Sequence, residues 1–442
     1  MINRKIIFIV PVALIIPNLY SQQLYDLNRC IQTGLEKNFT ILIARNSQEI
    51  SDNNRSLGNA GFLPTLDLSS RYGGSVNNTT QEFTSGDENI TKNAYSSSGD
   101  ASVTLGWNIF QGFNAHTTYK KLNELKIVGE LNTQLTVEDF IAGIVSEYYY
   151  YIQQLRLYHN LAYAVALSRE RLRIDQERYL LGASSKLQLL QSQVYLNSDS
   201  SRLARQNEVL RISQVKLNTL MAVDDPGEDI VLKDTVIVIN NGLLYDTLYT
   251  NMQQANTSLQ IARRNKVISG YDYRIIASRT YPYLNFSAGY NYSIDSYKKS
   301  ELMRQQSDGA NYGLTLGMDL FDGFNRRREK ANARVAMDNQ EYQYQQVEQQ
   351  VRADLITMFF AYQNNLLLLK LEEQNLKTAG ENLEIALERY KLGSLSGLEL
   401  REVQQSLLEA EERLLSVQYE TKLAEISLLQ ISGKVTGYLT MN

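Results

Sequence analysis

Few residues in this 442-residue chain could perform covalent or metal chemistry. Histidine occurs only as His116 and His159, and cysteine only as Cys30. A zinc centre needs several nitrogen or sulfur ligands, and an activated nucleophile needs a neighbouring base, so neither can be assembled from this set. No glycine-rich phosphate loop and no clustered acid/base pair is visible. The sequence therefore predicts a non-enzymatic protein that carries no cofactor and no metal. Cys30 cannot close an internal disulfide. It lies well beyond the apolar start of the chain and follows Asn28-Arg29, unlike a lipid-attachment cysteine, so it reads as a thiol on a helix face.

Function must then come from architecture. With 44 basic and 48 acidic residues, no whole-chain field recruits nucleic acid. Tyrosine is abundant, with 29 copies, whereas proline has 5, and Gln, Leu, Glu and Ala are frequent. That balance favours long uninterrupted helices. Residues 1–21 read as a secretory signal: Arg4 and Lys5, the apolar stretch Ile6 to Ile16, then Ser21 before Gln22. Later in the chain no run reaches 18 apolar residues, so any membrane insertion must use strands.

The chain repeats itself. Trp107-Asn-Ile-Phe-Gln-Gly-Phe-Asn114 matches Met318-Asp-Leu-Phe-Asp-Gly-Phe-Asn325, and Phe321 stands 211 positions after Phe110. Glu177-Arg-Tyr-Leu-Leu-Gly182 matches Glu388-Arg-Tyr-Lys-Leu-Gly393, again 211 positions apart. Pro64 and Pro282 differ by 218, so the first copy carries about seven extra residues in a polar stretch, as a loop insertion does. The predicted division is repeat 1 over 22–227 and repeat 2 over 228–442, with 223–242 as the link. Each copy begins with a helix, roughly 23–58 and 243–276, ended by its proline. Strands are predicted at about 62–76 and 100–112, then at about 281–295 and 310–323. Polar loops at 77–99 and 297–309 join them.

The strands alternate. Val103, Leu105, Trp107 and Ile109 oppose Ser102, Thr104, Gly106 and Asn108, while Tyr312, Leu314, Leu316, Met318 and Leu320 oppose Gly313, Thr315, Gly317 and Asp319. A soluble sheet buried on one face alternates in the same way. The export signal, the aromatics near strand ends and the polar loops favour a membrane barrel. Four strands are too few to close one, and open edges cannot face lipid, so several chains must contribute.

Helices are predicted at about 114–181 and 184–222, then at about 325–392 and 396–433. Each long helix spans roughly 95–100 Å at 1.5 Å per residue. Leu189, Leu196, Leu203, Leu210 and Leu217 repeat every seven residues, as do Leu400, Leu407, Leu414, Thr421 and Leu428. Val403, Ala410, Val417, Ala424 and Ile431 accompany the second series, which is coiled-coil spacing. Gly182 and Gly393 suit the left-handed residue closing a helix, and a following serine can cap the next.

On these features the whole mature chain resembles the TolC-like outer membrane efflux proteins. The resemblance rests on the duplication, on Trp/Met-x-x-Phe-x-Gly at the strand-to-helix junction (Trp107, Phe110, Gly112; Phe321, Gly323) and on Glu-Arg-Tyr-x-x-Gly at the tips. It implies an α+β membrane protein in the outer membrane: a homotrimer whose twelve strands form one barrel, continuous with a helical coiled-coil barrel in the periplasm. It also implies a periplasmic adaptor protein and an inner-membrane pump as partners, besides outer-membrane lipid. The tip residues Gly182, Gly393 and Tyr179 would form the turns and the adaptor contact.

The family's gate carboxylates map onto Glu399 and Glu402, and a gate tyrosine maps onto Tyr390. The two glutamates lie at i and i+3 on one helical face, where a trimer would present a ring of six acids that attracts cations. Alternatively, Glu399 simply favours the start of its helix, and Tyr390 packs inside its hairpin. The family's charge lock falls on Gln188 and Leu395, neither of which can form it, leaving Arg401 or Lys186 as substitutes. The expected function is the exit duct of a tripartite efflux system. A duct for protein secretion shares this architecture, a structural coiled-coil surface protein would lack the barrel, and a passive porin would not need the long helices.

Overall fold

The computed structural model describes residues 24–298 and 302–440. The signal segment assigned to 1–21 lies outside them. In chain order the elements are β1 (Leu24–Tyr25), α1 (Leu27–Lys37), α2 (Phe39–Asn54), β2 (Thr65–Glu82), β3 (Glu88–Gln111), α3 (Asn114–Leu180) and α4 (Lys186–Met221). The second half repeats them as β4 (Val231–Leu232), α5 (Tyr245–Ala255), α6 (Thr257–Ser278), β5 (Tyr283–Tyr297), β6 (Arg304–Gly317), α7 (Asn325–Lys391) and α8 (Gly397–Ile431). A 3-10 turn, Val435–Thr440, closes the described chain. Among the described residues no helix is long and apolar enough to cross a membrane.

Strands β2, β3, β5 and β6 form one antiparallel sheet in that order, open at both edges. Its registers align the alternating residues into rows. Leu66, Leu105, Ala288 and Tyr312 are cross-strand neighbours, as are Trp107, Phe286 and Leu314. The opposite face carries Asp67, Thr104, Gly289 and Asn311, and Ser69 with Ser102, whose hydroxyls bond at 2.7 Å. Among the described residues nothing covers the apolar face, and Leu68, Tyr72, Tyr312 and Leu316 are exposed. A sheet in water hides such a face, whereas a barrel wall turns it to lipid.

Several boundaries differ from the sequence reading. The helices expected at 23–58 and 243–276 each break in two, at Asn38 and Asn256, 218 positions apart. Both asparagines are extended, and each side chain caps the following helix, accepting from Thr40 N at 2.9 Å and from Leu259 N at 2.9 Å. An asparagine offers the backbone this alternative to helix continuation. The segments read as polar loops are largely strand, because hairpin pairing continues where neither face is apolar. The last strand ends at Gly317 instead of running to about 323, so Met318 and Leu320 lie beyond it. Its partner β5 begins at Tyr283, opposite Gly317, and among the described residues no strand reaches further along that edge.

Helices α3 and α7 each run 67 residues without interruption. Coil positions Leu400, Leu414, Thr421 and Leu428 of α8 are buried, with Ala410, Val417 and Ala424 beside them. Midway along the rod, α1 and the link between the copies add a core around Ile31, Ile144, Tyr148, Ile152, Met221 and Ile237. Cys30 is sealed in this core, and burial pushes its thiol up to about 12, which makes it inert.

Candidate periplasmic gate

The hairpin tips are two copies of one device. Gly182 and Gly393 have φ of +75° and +77°, the left-handed conformation that costs glycine least. Ala183 N donates to Arg178 O at 2.8 Å and Gly182 N to Tyr179 O at 3.0 Å. Ser394 N and Gly393 N repeat the pattern at 2.9 and 3.0 Å, which is the double closure of a Schellman end. Ser185 and Ser396 then cap α4 and α8. Tyr179 is 39% exposed on this turn, beside Leu180 and Leu181, which are more exposed still.

Glu399 completes a capping box: Glu399 N donates to Ser396 Oγ at 3.2 Å and Ser396 N donates to a Glu399 carboxylate oxygen at 2.8 Å. These bonds hold its carboxyl below the usual carboxylate range. Glu402 is exposed one turn on. Tyr390 is buried and belongs to a polar cluster tying the two hairpins together. Its hydroxyl donates to Asp175 of α3, and Ser192 of α4 donates to the other oxygen of the same carboxylate. Burial, reinforced by Asp175, pushes the Tyr390 hydroxyl up to about 12. Arg178 lies over the Tyr390 ring at 4.8 Å and donates to Tyr390 O at 2.6 Å, where helix α7 exposes its terminal carbonyls. Arg171 covers Tyr195 at 4.9 Å.

A second tie lies deeper. Arg401 of α8 grips Asp199 of α4 through both carboxylate oxygens, at 2.7 and 2.8 Å, and Ser168 of α3 donates to the same group at 2.5 Å. Asp199 is 1% exposed and the Arg401 side chain 12%. Arg401 thus forms a charge pair, but within one chain. Gln188 accepts from Ser184 at 3.0 Å, and Leu395 packs against the apolar cluster of Leu383, Tyr390 and Leu400. Lys186 is exposed. A cleft of about 730 Å³ separates the tips, lined by Gln188, Leu395, Gly397 and their neighbours.

Asp175, Arg171, Asp199, Ser168 and Ser192 were not singled out in the sequence. A signal existed: Ser192, Asp199, Gln206 and Ser213 recur every seven residues, where copy two has Val403, Ala410, Val417 and Ala424. All four are engaged by α3 or its neighbours, Gln206 on Gln154 at 2.9 Å and Ser213 on Glu147 at 2.8 Å. The α3/α4 coil therefore has a polar seam and the α7/α8 coil an apolar one.

At the far end, Gly112 and Gly323 turn the strands into α3 and α7, each followed by a phenylalanine with positive φ. A Cβ on Gly112 would stand 2.3 Å from Ser278 O, so only glycine fits there. Trp107 Nε1 donates to Phe62 O at 2.9 Å. Phe110 meets Phe113 edge-on at 5.2 Å, as Phe321 meets Phe324 at 5.4 Å.

A sequence comparison with curated proteins finds no match. Solved structures match the fold. VceC, an outer membrane protein of Vibrio cholerae, is 15% identical, with a TM-score of 0.73 over 92% of this chain and 96% of its own. The Campylobacter jejuni CmeC outer membrane channel is 17% identical, with a TM-score of 0.74 over 92% and 85%. The Neisseria gonorrhoeae MtrE outer membrane channel, in its open state, is 15% identical, with a TM-score of 0.74 over 94% and 91%. The family model described as outer membrane efflux protein matches residues 30–223 and 248–434. This chain therefore belongs to the outer membrane efflux protein family, whose members are channels and not enzymes, set in the outer membrane and extending into the periplasm.

Proposed function

We propose that this chain is the exit duct of a tripartite efflux system, in which a homotrimer closes a twelve-stranded barrel and receives solutes from a periplasmic adaptor and an inner-membrane pump. The observation that carries this reading is the four-stranded sheet with an uncovered apolar face and two unpaired edges. In lipid those edges must be paired, and identical neighbours supply strands β2 and β6 to each other. The family's count of three chains supports twelve strands.

The long hairpins carry the conduit away from the membrane. Their tips bear exposed Leu180, Leu181, Leu392 and Leu398, apolar surface suited to an adaptor that docks around Gly182, Gly393 and Tyr179. Glu399 and Glu402 line the mouth as a ring that favours cations, and Tyr390 holds the hairpins closed behind it. Two measurements test this. The purified protein should have the native mass of a trimer in detergent. A deletion strain should become sensitive to antibiotics and dyes, and unchanged susceptibility across a broad panel sinks the efflux reading.

A further inference from the structure

The cleft of about 730 Å³ between the hairpin tips has one-sided chemistry. Four serines and two glutamines line it beside apolar neighbours; among its described lining residues the one charged side chain is Arg178, and none is acidic. Helices α4 and α8 both start at its wall, after Ser185 and Ser396. A helix start carries roughly half a positive charge, and its first N–H groups lack intrahelical acceptors. The two cap serines accept from Gln188 N and Glu399 N, which leaves the earlier N–H groups of each first turn for another acceptor.

Two helix starts alone do not define a ligand; a buried cation does. Arg171 of α3 is 4% exposed, yet its Nε and Nη1 have no hydrogen-bond partner among the described residues. Its nearest acid is engaged elsewhere: the Tyr390 and Ser192 hydroxyls take the two oxygens of Asp175, and Arg171 Nε stays 3.8 Å away. The rings of Tyr195 and Tyr390 flank the guanidinium at 4.9 and 6.0 Å. Arg171 Nη2 reaches the cleft floor at Gly397, 2.7 Å from where a Cβ on that residue would stand, and Gln188 Nε2 lies 3.6 Å from the same point. The Gln188 amide oxygen already accepts from Ser184, so its nitrogen is the group left to donate. Gly397 does not have positive φ, so glycine serves there as space: a side chain would come between these donors and the cleft. The duplicate position, 211 residues earlier, is Lys186.

We propose that this cleft binds one oxyanion, a carboxylate or a phosphate, held by Arg171 and Gln188 at the floor, by Arg178 at the side and by first-turn N–H groups of α4 and α8. Such oxygens accept from several N–H groups at once and suit a guanidinium fork. Occupancy supplies the bonds that Arg171 lacks, which otherwise cost a buried donor its hydration, and it ties α3, α4 and α8 through one ligand. The oxyanion comes either from solution or from an acidic side chain of a protein seated on the tips. The site is complete within one chain and does not depend on the trimer.

Hydrogen exchange of the full chain in detergent, read by mass spectrometry on peptides covering 178–191 and 389–401, tests this. Inorganic phosphate replaces chloride at constant ionic strength. Both peptides should be protected saturably, and at ten times the dissociation constant exchange should slow about elevenfold. A blocked tripeptide carrying glutamate, with its glutamine analogue as control, is the side-chain probe. Protection by phosphate assigns an ion from solution, protection by the glutamate peptide alone assigns a docked side chain, and either supports the site. No protection by either probe, equal protection by the glutamine control, or a linear response without saturation overturns it. Gly397→Ala should abolish the saturable protection while keeping α8, since alanine favours a helix, and Arg171→Met should abolish it too. If Arg171→Met does not fold, Gly397→Ala decides alone; protection that survives in a folded variant overturns the placement. Trimer mass and dye efflux are separate readouts, so failure here leaves the duct standing.

Discussion

Replacing Arg401 by leucine would leave the Asp199 carboxylate, 1% exposed, with only the Ser168 hydroxyl as partner. Breaking a buried pair in this way costs about 3–5 kcal/mol, most of it the stranded charge. Asp199→Ala costs less, about 1–2 kcal/mol, because the longer arginine can extend its head to water. The double variant reproduces Ala410 and Leu190, the residues found at the duplicate positions, and should lie within about 1 kcal/mol of the parent. The coupling between the two sites is then on the order of 5 kcal/mol. Hydrogen exchange read by mass spectrometry on detergent trimers measures it locally, on peptides from the starts of α4 and α8. Exchange in Arg401→Leu should be faster by about a hundred- to several-thousandfold and largely restored in the double. An Arg401→Leu protein that exchanges like the parent, or a double worse than that single, refutes the assignment of Asp199–Arg401 as a buried latch.

Tyr390 predicts an alkaline limit. Its hydroxyl is raised to about 12, so its contribution to the closed tip is complete below the ordinary tyrosine value of about 10 and disappears as pH climbs through about 12. Bilayer conductance should rise across that window, and Tyr390→Phe should already leak at neutral pH and lack the step; a step that survives the substitution belongs to another group. The two junction glycines should differ. Gly323→Ala adds about 1–2 kcal/mol of left-handed strain with its nearest neighbour 3.7 Å away, whereas Gly112→Ala also drives a methyl into Ser278 O. Trimer yield from membranes should fall modestly for the first and collapse for the second, and equal yields would show that the close approach is not needed.

The sequence by itself determined the repeating parts. Alternation with a two-residue period, proline-free heptads and glycines at the tips are local patterns, and the offset shared by two motifs made the duplication visible without a structure. The helix-start role considered for Glu399 is local too, and the structure gives it as a capping box with Ser396, three residues away. What only the tertiary structure decided is the pairing of groups far apart in the chain. Asp175 meets Tyr390 across 215 positions and Arg401 meets Asp199 across 202, distances at which no periodicity names a partner. The polar heptad Ser192, Asp199, Gln206 and Ser213 could have announced a wet seam, but not which residues of α3, α7 or α8 would satisfy it. The end of β6 follows the same logic: residues past Gly317 alternate like a strand, yet a strand needs a neighbour to pair with, and among the described residues of the chain that neighbour is missing.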